Sequence, residues 1–201
     1  MSTVLITGCD RAIGRAMCLQ LQERGDRVVA VYLGDPQDLR DRGLRVEPHI
    51  DVTQDDAVNA LAGRLEADDV RLDWLISNAG VLGVDELGKI DFDDVRRQFE
   101  INAIGPLHVV QALAGRLQAG SKVGILTSRV GSLEDNTTGG MYAYRASKAA
   151  ANMVGLNLHH TISRTAASPC SCSIRDWLPP ISLRIFRATC RGSSRKKRPP
   201  A

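Results

Sequence analysis

Short apolar runs alternate with helix-like segments over the first 160 residues of this 201-residue chain. The runs cover residues 4–7, 28–32, 44–50, 72–77 and 123–127, and most are apolar at consecutive positions, as in strands that are buried on both faces. Helical spacing fills the stretches between them, at residues 12–24, 54–67, 93–117 and 141–160. This alternation predicts an α/β fold, a Rossmann-type doubly wound parallel sheet that binds ligands at its carboxyl edge.

Local signals mark the ends of several elements. Gly8 stops the first strand and Gly25 follows the first helix, where glycine is a common terminator. Asp35-Pro36 predicts the start of a short helix, and Thr53 predicts the cap of the next one. Gly105-Pro106 predicts an interruption within residues 93–117.

Composition indicates an ordinary globular protein in a reducing compartment. Hydrophobic residues make up 43% of the chain and charged residues 24%. No apolar run is long enough to cross a bilayer, and no secretory signal is evident, so we expect a cytoplasmic protein without a membrane partner. The five cysteines form neither a disulfide framework nor a paired metal-ligand pattern, so no metal site is expected.

Two local patterns carry chemistry. Residues 7–14, Thr-Gly-Cys-Asp-Arg-Ala-Ile-Gly, lie where the first strand meets the first helix, and glycines there let backbone N–H groups approach a pyrophosphate. Tyr144 and Lys148 are four residues apart and share a helix face, so a positive charge lies beside a phenol and favours its ionised form. Taken alone, the glycines fit any strand–helix turn, and the Tyr–Lys pair fits a solvated helix face.

In combination these motifs resemble the short-chain dehydrogenase/reductase superfamily over about residues 1–160. The chain has, in order, the turn at 7–14, Ser77-Asn78-Ala79-Gly80, Asn102, Ser128 and Tyr144 with Lys148. The sequence around Asn102, Ser128 and Tyr144 is similar to that of the C-factor/sniffer-type carbonyl reductases. Two departures stand out: Ala12 replaces a glycine, which is tolerable at negative φ, and Ser77 replaces an asparagine, whose hydrogen bonding it can retain.

The resemblance implies an NAD(P)(H)-dependent oxidoreductase that interconverts a small-molecule carbonyl and alcohol. It assigns proton transfer to Tyr144, a lowered Tyr144 pKa and ribose binding to Lys148, substrate hydrogen bonding to Ser128 and a bound water to Asn102. The implied cofactor-binding residues are Thr7, Gly8, Arg11, Ala12, Ile13, Gly14, Asp51, Val52, Asn78, Ala79, Gly80, Tyr144 and Lys148.

Alternative interpretations remain open for three of these residues. Ser132 competes with Ser128, Asn102 fits a buried helix amide, and Asp51 fits a helix-capping acid as well as an adenine contact. For the whole protein, the alternative is a catalytically impaired or inactive dinucleotide-binding or signalling protein of the same fold.

The cofactor is expected to be NADP(H) rather than NAD(H). The second strand ends at Tyr32 and Leu33, so no acid occupies the place where a carboxylate would accept the ribose 2′-hydroxyl of NAD. Arg11 lies in the phosphate loop, as in NADP-preferring members of the superfamily. The helices at 93–117 and 141–160 resemble its dimer-forming pair and imply a homodimer or homotetramer.

Residues 161–201 break the pattern. They carry nine Lys or Arg and a single acid, Asp176, in a Ser-, Arg- and Pro-rich segment that lacks the expected strand ending in Pro-Gly. Reading suitable codons in a shifted frame restores an apolar run, so we interpret the segment as a disordered, non-native tail that follows a frameshift near Thr161. Nucleic-acid binding by residues 195–198 is the alternative, but no aromatic residue lies among those charges.

Overall fold

A computed structural model describes residues 1–34 and 37–162, and the backbone alone of residues 163–165, 170–176 and 184–190. The predicted helix start at Asp35-Pro36 lies outside the described residues. The strands are β1 (Thr3–Thr7), β2 (Arg27–Val31), β3 (Arg45–Glu47), β4 (Leu72–Ser77), β5 (Leu117–Ile125), β6 (Cys170–Asp176) and β7 (Arg184–Cys190). The α-helices are α1 (Ala12–Glu23), α2 (Gln37–Asp41), α3 (Asp55–Ala67), α4 (Phe92–Phe99), α5 (Gly105–Leu113) and α6 (Tyr142–Thr165).

The sheet has the strand order β3-β2-β1-β4-β5-β7-β6, and its first five strands are parallel. The chain builds outward from β1 on one side to β3 and then on the other side to β5, so the direction reverses between β1 and β4. Ligands of doubly wound sheets bind in the crevice that this reversal opens at the carboxyl ends of the strands. The predicted fold class is confirmed.

An antiparallel strand pair lies beside β5. Backbone pairing joins Lys122 to Thr189 and Val123 to Ala188, and β7 in turn pairs with β6. The sequence predicts no strand after residue 160, so this pairing is a difference from expectation. It covers part of β5. The assignment of residues 161–201 to a non-native tail stays a prediction.

Apolar side chains fill both faces of the sheet. Val4 and Ile6 pack with α1 and α2 on one face, whereas Leu5 packs with α3 and α5 on the other, and all three are fully buried. Each buried side chain of this size contributes about 1.5–3 kcal/mol. Among the described residues, no helix combines the length and the apolar composition that crossing a bilayer requires.

The predicted helix at 93–117 is divided earlier than expected. A π-helical turn, Glu100–Ile104, separates α4 from α5, and β5 already begins at Leu117. Gly105 is required directly after this turn, because a Cβ there would lie 2.8 Å from Val52 Cγ2. The π turn carries Asn102, whose amide binds Val81 in the segment that follows β4.

Candidate active site

The glycine turn after β1 is shaped by close backbone contacts. A Cβ on Gly8 would lie 2.6 Å from Ala79 Cα, and one on Gly14 would lie 2.2 Å from the Gly8 carbonyl oxygen. Arg11 is the N-cap of α1, and its side chain makes no capping hydrogen bond within the described part of the chain. The first N–H groups of α1 therefore remain available to an anion.

The backbone conformation of Ala12 differs from the one expected from the sequence. Its φ is +45°, in the left-handed region, whereas the expected tolerance of a methyl group assumed a negative φ. A non-glycine residue there costs about 1–2 kcal/mol. The turn thus keeps its glycine-like path at the expense of local strain.

The Asn78-Ala79 corner is tied to the end of β1. Thr7 Oγ1 accepts hydrogen bonds from the backbone N–H groups of Asn78 and Ala79, each at 3.1 Å, and Asn78 Nδ2 donates to the Gly8 carbonyl at 2.9 Å. Thr7 is fully buried and does not line the cleft, so in this structure it supports the corner from behind. The Ser77 hydroxyl is buried and finds no partner among the described residues, so its expected compensating hydrogen bond is absent.

Tyr144 and Lys148 lie on consecutive turns of α6 and face the carboxyl edge of the sheet. Lys148 Nζ is 5.8 Å from the centroid of the Tyr144 ring and donates a hydrogen bond to the Leu126 carbonyl at 3.1 Å. Burial lowers the Lys148 pKa to about 8. Burial also raises the Tyr144 pKa, opposed by a hydrogen bond from Ser128. The expected lowering of the Tyr144 pKa by Lys148 is therefore not found in this structure.

Ser128, rather than Ser132, faces the candidate catalytic pair. Ser128 lines the same cleft as Tyr144, whereas Ser132 accepts a hydrogen bond from the Asp135 N–H at 3.2 Å and lies outside the lining. Gly131 permits this arrangement, because a Cβ there would lie 2.7 Å from the Lys148 carbonyl carbon. The tight turn after β5 can therefore rest directly on α6.

Asn102 is buried with every polar atom of its amide engaged. Its Oδ1 accepts from the Val81 N–H at 2.9 Å, and its Nδ2 donates to the Val81 carbonyl at 2.9 Å and to Ser147 Oγ at 3.0 Å. Ser147 Oγ donates to the Tyr144 carbonyl at 2.9 Å. These contacts fit the reading of Asn102 as a satisfied helix amide, and its role in holding a water stays a prediction.

One cleft of about 710 Å³ brings most of the predicted residues together. Thr7 and Asn102 do not line the cleft but lie behind the residues that do. The predicted residues that line it are Gly8, Arg11, Ala12, Ile13, Gly14, Asp51, Val52, Asn78, Ala79, Gly80, Ser128, Tyr144 and Lys148.

Asp51 lies before the N-cap of α3 and does not cap that helix, and its adenine contact stays a prediction. Its Oδ1 accepts from the N–H and the hydroxyl of Thr53, at 2.9 and 2.8 Å, while the residue lines the cleft. The N-cap of α3 is Gln54 rather than the predicted Thr53.

Two charged residues of the cleft are absent from the sequence prediction. Asp10 accepts a hydrogen bond from the Gly34 N–H at 3.0 Å, which places a carboxylate beside the end of β2. Arg97 on α4 also lines the cleft, and its Nη1 lies 3.4 Å from Asp94 Oδ1. The position of Asp10 inside the glycine turn could have indicated its role, but nothing local marks Arg97.

Comparison with known proteins agrees with this geometry. Residues 2–168 match the family model described as short chain dehydrogenase, so the chain belongs to this family of oxidoreductases. It is 53% identical over 168 residues to 1-hydroxy-2-glutathionyl-2-methyl-3-butene dehydrogenase from Rhodococcus sp. (strain AD45), a match covering 84% of this chain and 74% of that relative. It is also 53% identical over 85 residues to C-signal from Myxococcus xanthus, covering 41% of this chain and 51% of the relative.

Solved structures share the architecture. A carbonyl reductase from Pseudomonas aeruginosa PAO1 in complex with NADP superimposes with a TM-score of 0.71 at 34% identity, covering 80% of this chain and 76% of that one. Carbonyl reductase Sniffer of D. melanogaster has a TM-score of 0.76 at 24% identity, covering 84% and 78%, and supports the fold alone. The chain is a member of a dehydrogenase/reductase class that uses a nicotinamide dinucleotide.

Proposed function

We propose that this protein interconverts a carbonyl and an alcohol with NADP(H), using Tyr144 as the acid and base. The observation that carries the proposal is the convergence of Tyr144, Ser128 and Lys148 in the cleft that also contains the glycine turn. A bound nicotinamide would supply the hydride donor or acceptor.

The residues of the cleft fit a dinucleotide. Gly8 and Gly14 let the turn pack closely against Ala79 and Asn78, and the uncapped N–H groups at the start of α1 suit a pyrophosphate. Asp51 and Val52 also line the cleft, and the family resemblance assigns an adenine contact to Asp51. Tyr144 and Lys148 lie at the nicotinamide end by the same resemblance.

The protonation states suit carbonyl reduction near neutral pH. Because the Tyr144 pKa is raised, the phenol keeps its proton and can donate it to a carbonyl oxygen. The Ser128 hydroxyl can donate a second hydrogen bond to the same oxygen as negative charge develops there. Lys148, whose pKa is about 8, is mostly charged at pH 7. In oxidation the proton moves in the reverse direction, from the alcohol to the phenolate.

Turnover and cofactor binding can be separated with a pair of tyrosine variants. Tyr144→Phe should still bind NADPH, measured by nicotinamide fluorescence, and should lose at least about a hundredfold in kcat over a panel of carbonyls, as expected when an acid–base group is removed. Tyr142→Phe is the matched control, because the exposed Tyr142 side chain lies two residues away and outside the lining of the cleft. Equal turnover by wild type and Tyr144→Phe would contradict the assignment.

The similarity to C-signal favours a second candidate, a dinucleotide-binding protein that signals without turnover. It predicts saturable NADPH binding together with no oxidation or reduction of any carbonyl or alcohol in the panel. Turnover that depends on Tyr144 would exclude it.

The Rhodococcus relative suggests a substrate that carries a glutathione substituent. The exposed Arg97 guanidinium at the cleft suits a carboxylate of such a conjugate. Arg97→Ala should raise KM for a glutathione-conjugated alcohol and leave KM for a simple alcohol unchanged. Arg96→Ala is the control, since Arg96 pairs with Asp93 and does not line the cleft. Equal effects of the two variants would remove Arg97 from substrate binding.

We also propose a homodimer or homotetramer built on α5 and α6. Leu107, Met153 and Leu156 are exposed apolar residues on these helices. Light scattering should give a dimer or tetramer mass, and Met153→Glu with Leu156→Glu should shift it toward the monomer. A wild-type monomer at micromolar concentration would contradict the proposal.

A further inference from the structure

Helix α6 begins without a local cap. The Met141 carbonyl accepts the first helical hydrogen bond, from the Arg145 N–H at 2.9 Å, which makes Met141 the N-cap residue. Its φ is +51°, and Gly139 and Gly140 before it are also left-handed. A methionine side chain is a poor acceptor for the free N–H groups of the first turn, so Tyr142 and Ala143 need a partner from elsewhere.

Asp85 supplies that partner from a distant part of the sequence. One carboxylate oxygen accepts from the Tyr142 N–H at 2.5 Å and the other accepts from the Ala143 N–H at 2.8 Å. Asp85 precedes these residues by 57 and 58 positions and lies in the irregular segment between β4 and α4. A negative charge at this end of a helix is also favoured by the helix dipole.

Tyr144 directly follows the two amides that Asp85 holds, so the reacting phenol extends from the first turn of α6. First turns fray unless they are capped, because their N–H groups have no partners within the helix. Fixing the N–H groups of Tyr142 and Ala143 therefore fixes the backbone that aims the phenol at Ser128. We propose that Asp85 is a positioning residue for Tyr144, an inference that rests on the function proposed above.

The segment that carries Asp85 is held at a second point. Asn102 binds both backbone polar groups of Val81, and it also donates to Ser147 on the next turn of α6. The 81–85 segment is thus attached to the π turn at one end and to the start of α6 at the other. Releasing Asp85 leaves the Val81 anchor and the Ser147 contact in place, neither of which restrains the first-turn amides.

Asp91 offers a matched control, since it caps α4 by accepting from the Asp93 and Asp94 N–H groups at 2.9 and 3.4 Å. Both acids cap a helix, but α4 does not carry the reacting phenol. The test compares the full-length wild type with Asp85→Ala, Asp85→Asn and Asp91→Ala. The measurements are kcat, KM, NADPH affinity and amide hydrogen exchange of the first turn of α6.

Loss of a cap shifts the opening equilibrium of a helix end by about tenfold, so Asp85→Ala should speed exchange at Tyr142 and Ala143 about tenfold and lower kcat by up to about the same factor. Its NADPH affinity should stay within about twofold of wild type, because the glycine turn is separate from this segment. For Asp85→Asn, kcat and the exchange rate should lie between those of wild type and Asp85→Ala, because the asparagine amide keeps one acceptor oxygen. Asp91→Ala should leave kcat and exchange in α6 unchanged.

Two outcomes would overturn the inference. One is an Asp85→Ala variant whose kcat and amide exchange rates are the same as those of wild type. The other is a joint loss of kcat, NADPH affinity and overall stability that Asp91→Ala reproduces, since that would mean a general structural role. If wild type binds NADPH without turnover, the proposed function fails, and exchange then decides alone: faster exchange confined to the first turn of α6 in Asp85→Ala supports the clamp, and unchanged exchange refutes it.

Discussion

Replacing the buried lysine of the site should make the protein more stable. Lys148 is 4% exposed, and in the structure its ammonium makes a hydrogen bond to the Leu126 carbonyl. Burying a charge with so little compensation is unfavourable. Lys148→Met keeps a side chain of similar length and removes the charge, so it should raise the free energy of unfolding while it abolishes the chemistry.

The size of the effect follows from the Lys148 pKa, which burial lowers from 10.5 to about 8. At about 1.4 kcal/mol for each tenfold change in the proton equilibrium, the charged lysine costs the folded protein about 3 kcal/mol. The methionine leaves the Leu126 carbonyl without this donor, which costs about 1 kcal/mol. We therefore expect Lys148→Met to be about 2 kcal/mol more stable than wild type at pH 7, without nucleotide.

The pH dependence gives the sharper test. Below pH 8 the lysine is charged in both the folded and the unfolded chain, so the full cost is present. Between pH 8 and 10.5 the unfolded chain binds more protons than the folded one, so wild-type stability rises with pH relative to the variant. Above pH 10.5 both states are neutral and the cost of burying the charge has disappeared. Urea unfolding at pH 6, 7, 8, 9 and 10, followed by circular dichroism, measures the difference directly.

Lys89→Met is the control, because the Lys89 side chain is 79% exposed and pairs with Glu86 on the surface. It should change the free energy of unfolding by less than about 0.5 kcal/mol. A Lys148→Met variant that is less stable than wild type at pH 7, or a difference between the two that stays constant from pH 6 to 10, would refute the reasoning.

Three further predictions concern the glycine turn. Gly14→Ala should lower the free energy of unfolding by about 1–3 kcal/mol and weaken NADPH binding, whereas Gly63→Ala, with nothing within 4 Å of its added Cβ in α3, should be neutral or stabilising in the same melts. Asp10→Asn removes a negative charge beside the end of β2 and should favour NADPH over NADH by about fivefold in fluorescence titrations, an effect of about 1 kcal/mol; an unchanged ratio would remove Asp10 from cofactor choice. Burial raises the Cys9 pKa, so iodoacetamide at pH 8 should leave Cys9 and Cys18 unlabelled in the folded protein, as peptide mass spectrometry would show, and rapid labelling would contradict their burial.

The sequence was sufficient for the parallel sheet because its signals are local. Each strand is a short apolar run, and the turn at Gly8 is marked by the residues that form it. The antiparallel pairing at β5 could not be predicted, since residues 170–176 and 184–190 lack the apolar runs that indicated the other strands. The π turn at Glu100–Ile104 also has no local signal, and Gly105-Pro106 marked only its end.

For the site, motif resemblance selected residues that the fold brings into one cleft. It could not distinguish residues that line the cleft from Thr7 and Asn102, which support its wall, because both kinds belong to the same motifs. It also missed Asp85, whose carboxylate reaches α6 across 57 residues of sequence. A contact of that kind depends on where the 81–85 segment comes to rest, which only the assembled sheet determines.

The left-handed alanine of the glycine turn has an evolutionary consequence. Any alanine codon becomes a glycine codon by one base change, and Ala12 adopts a backbone conformation that glycine enters freely. Populations selected for heat tolerance should therefore acquire glycine at position 12 early, ahead of rearrangements in the hydrophobic interior that need several coordinated mutations.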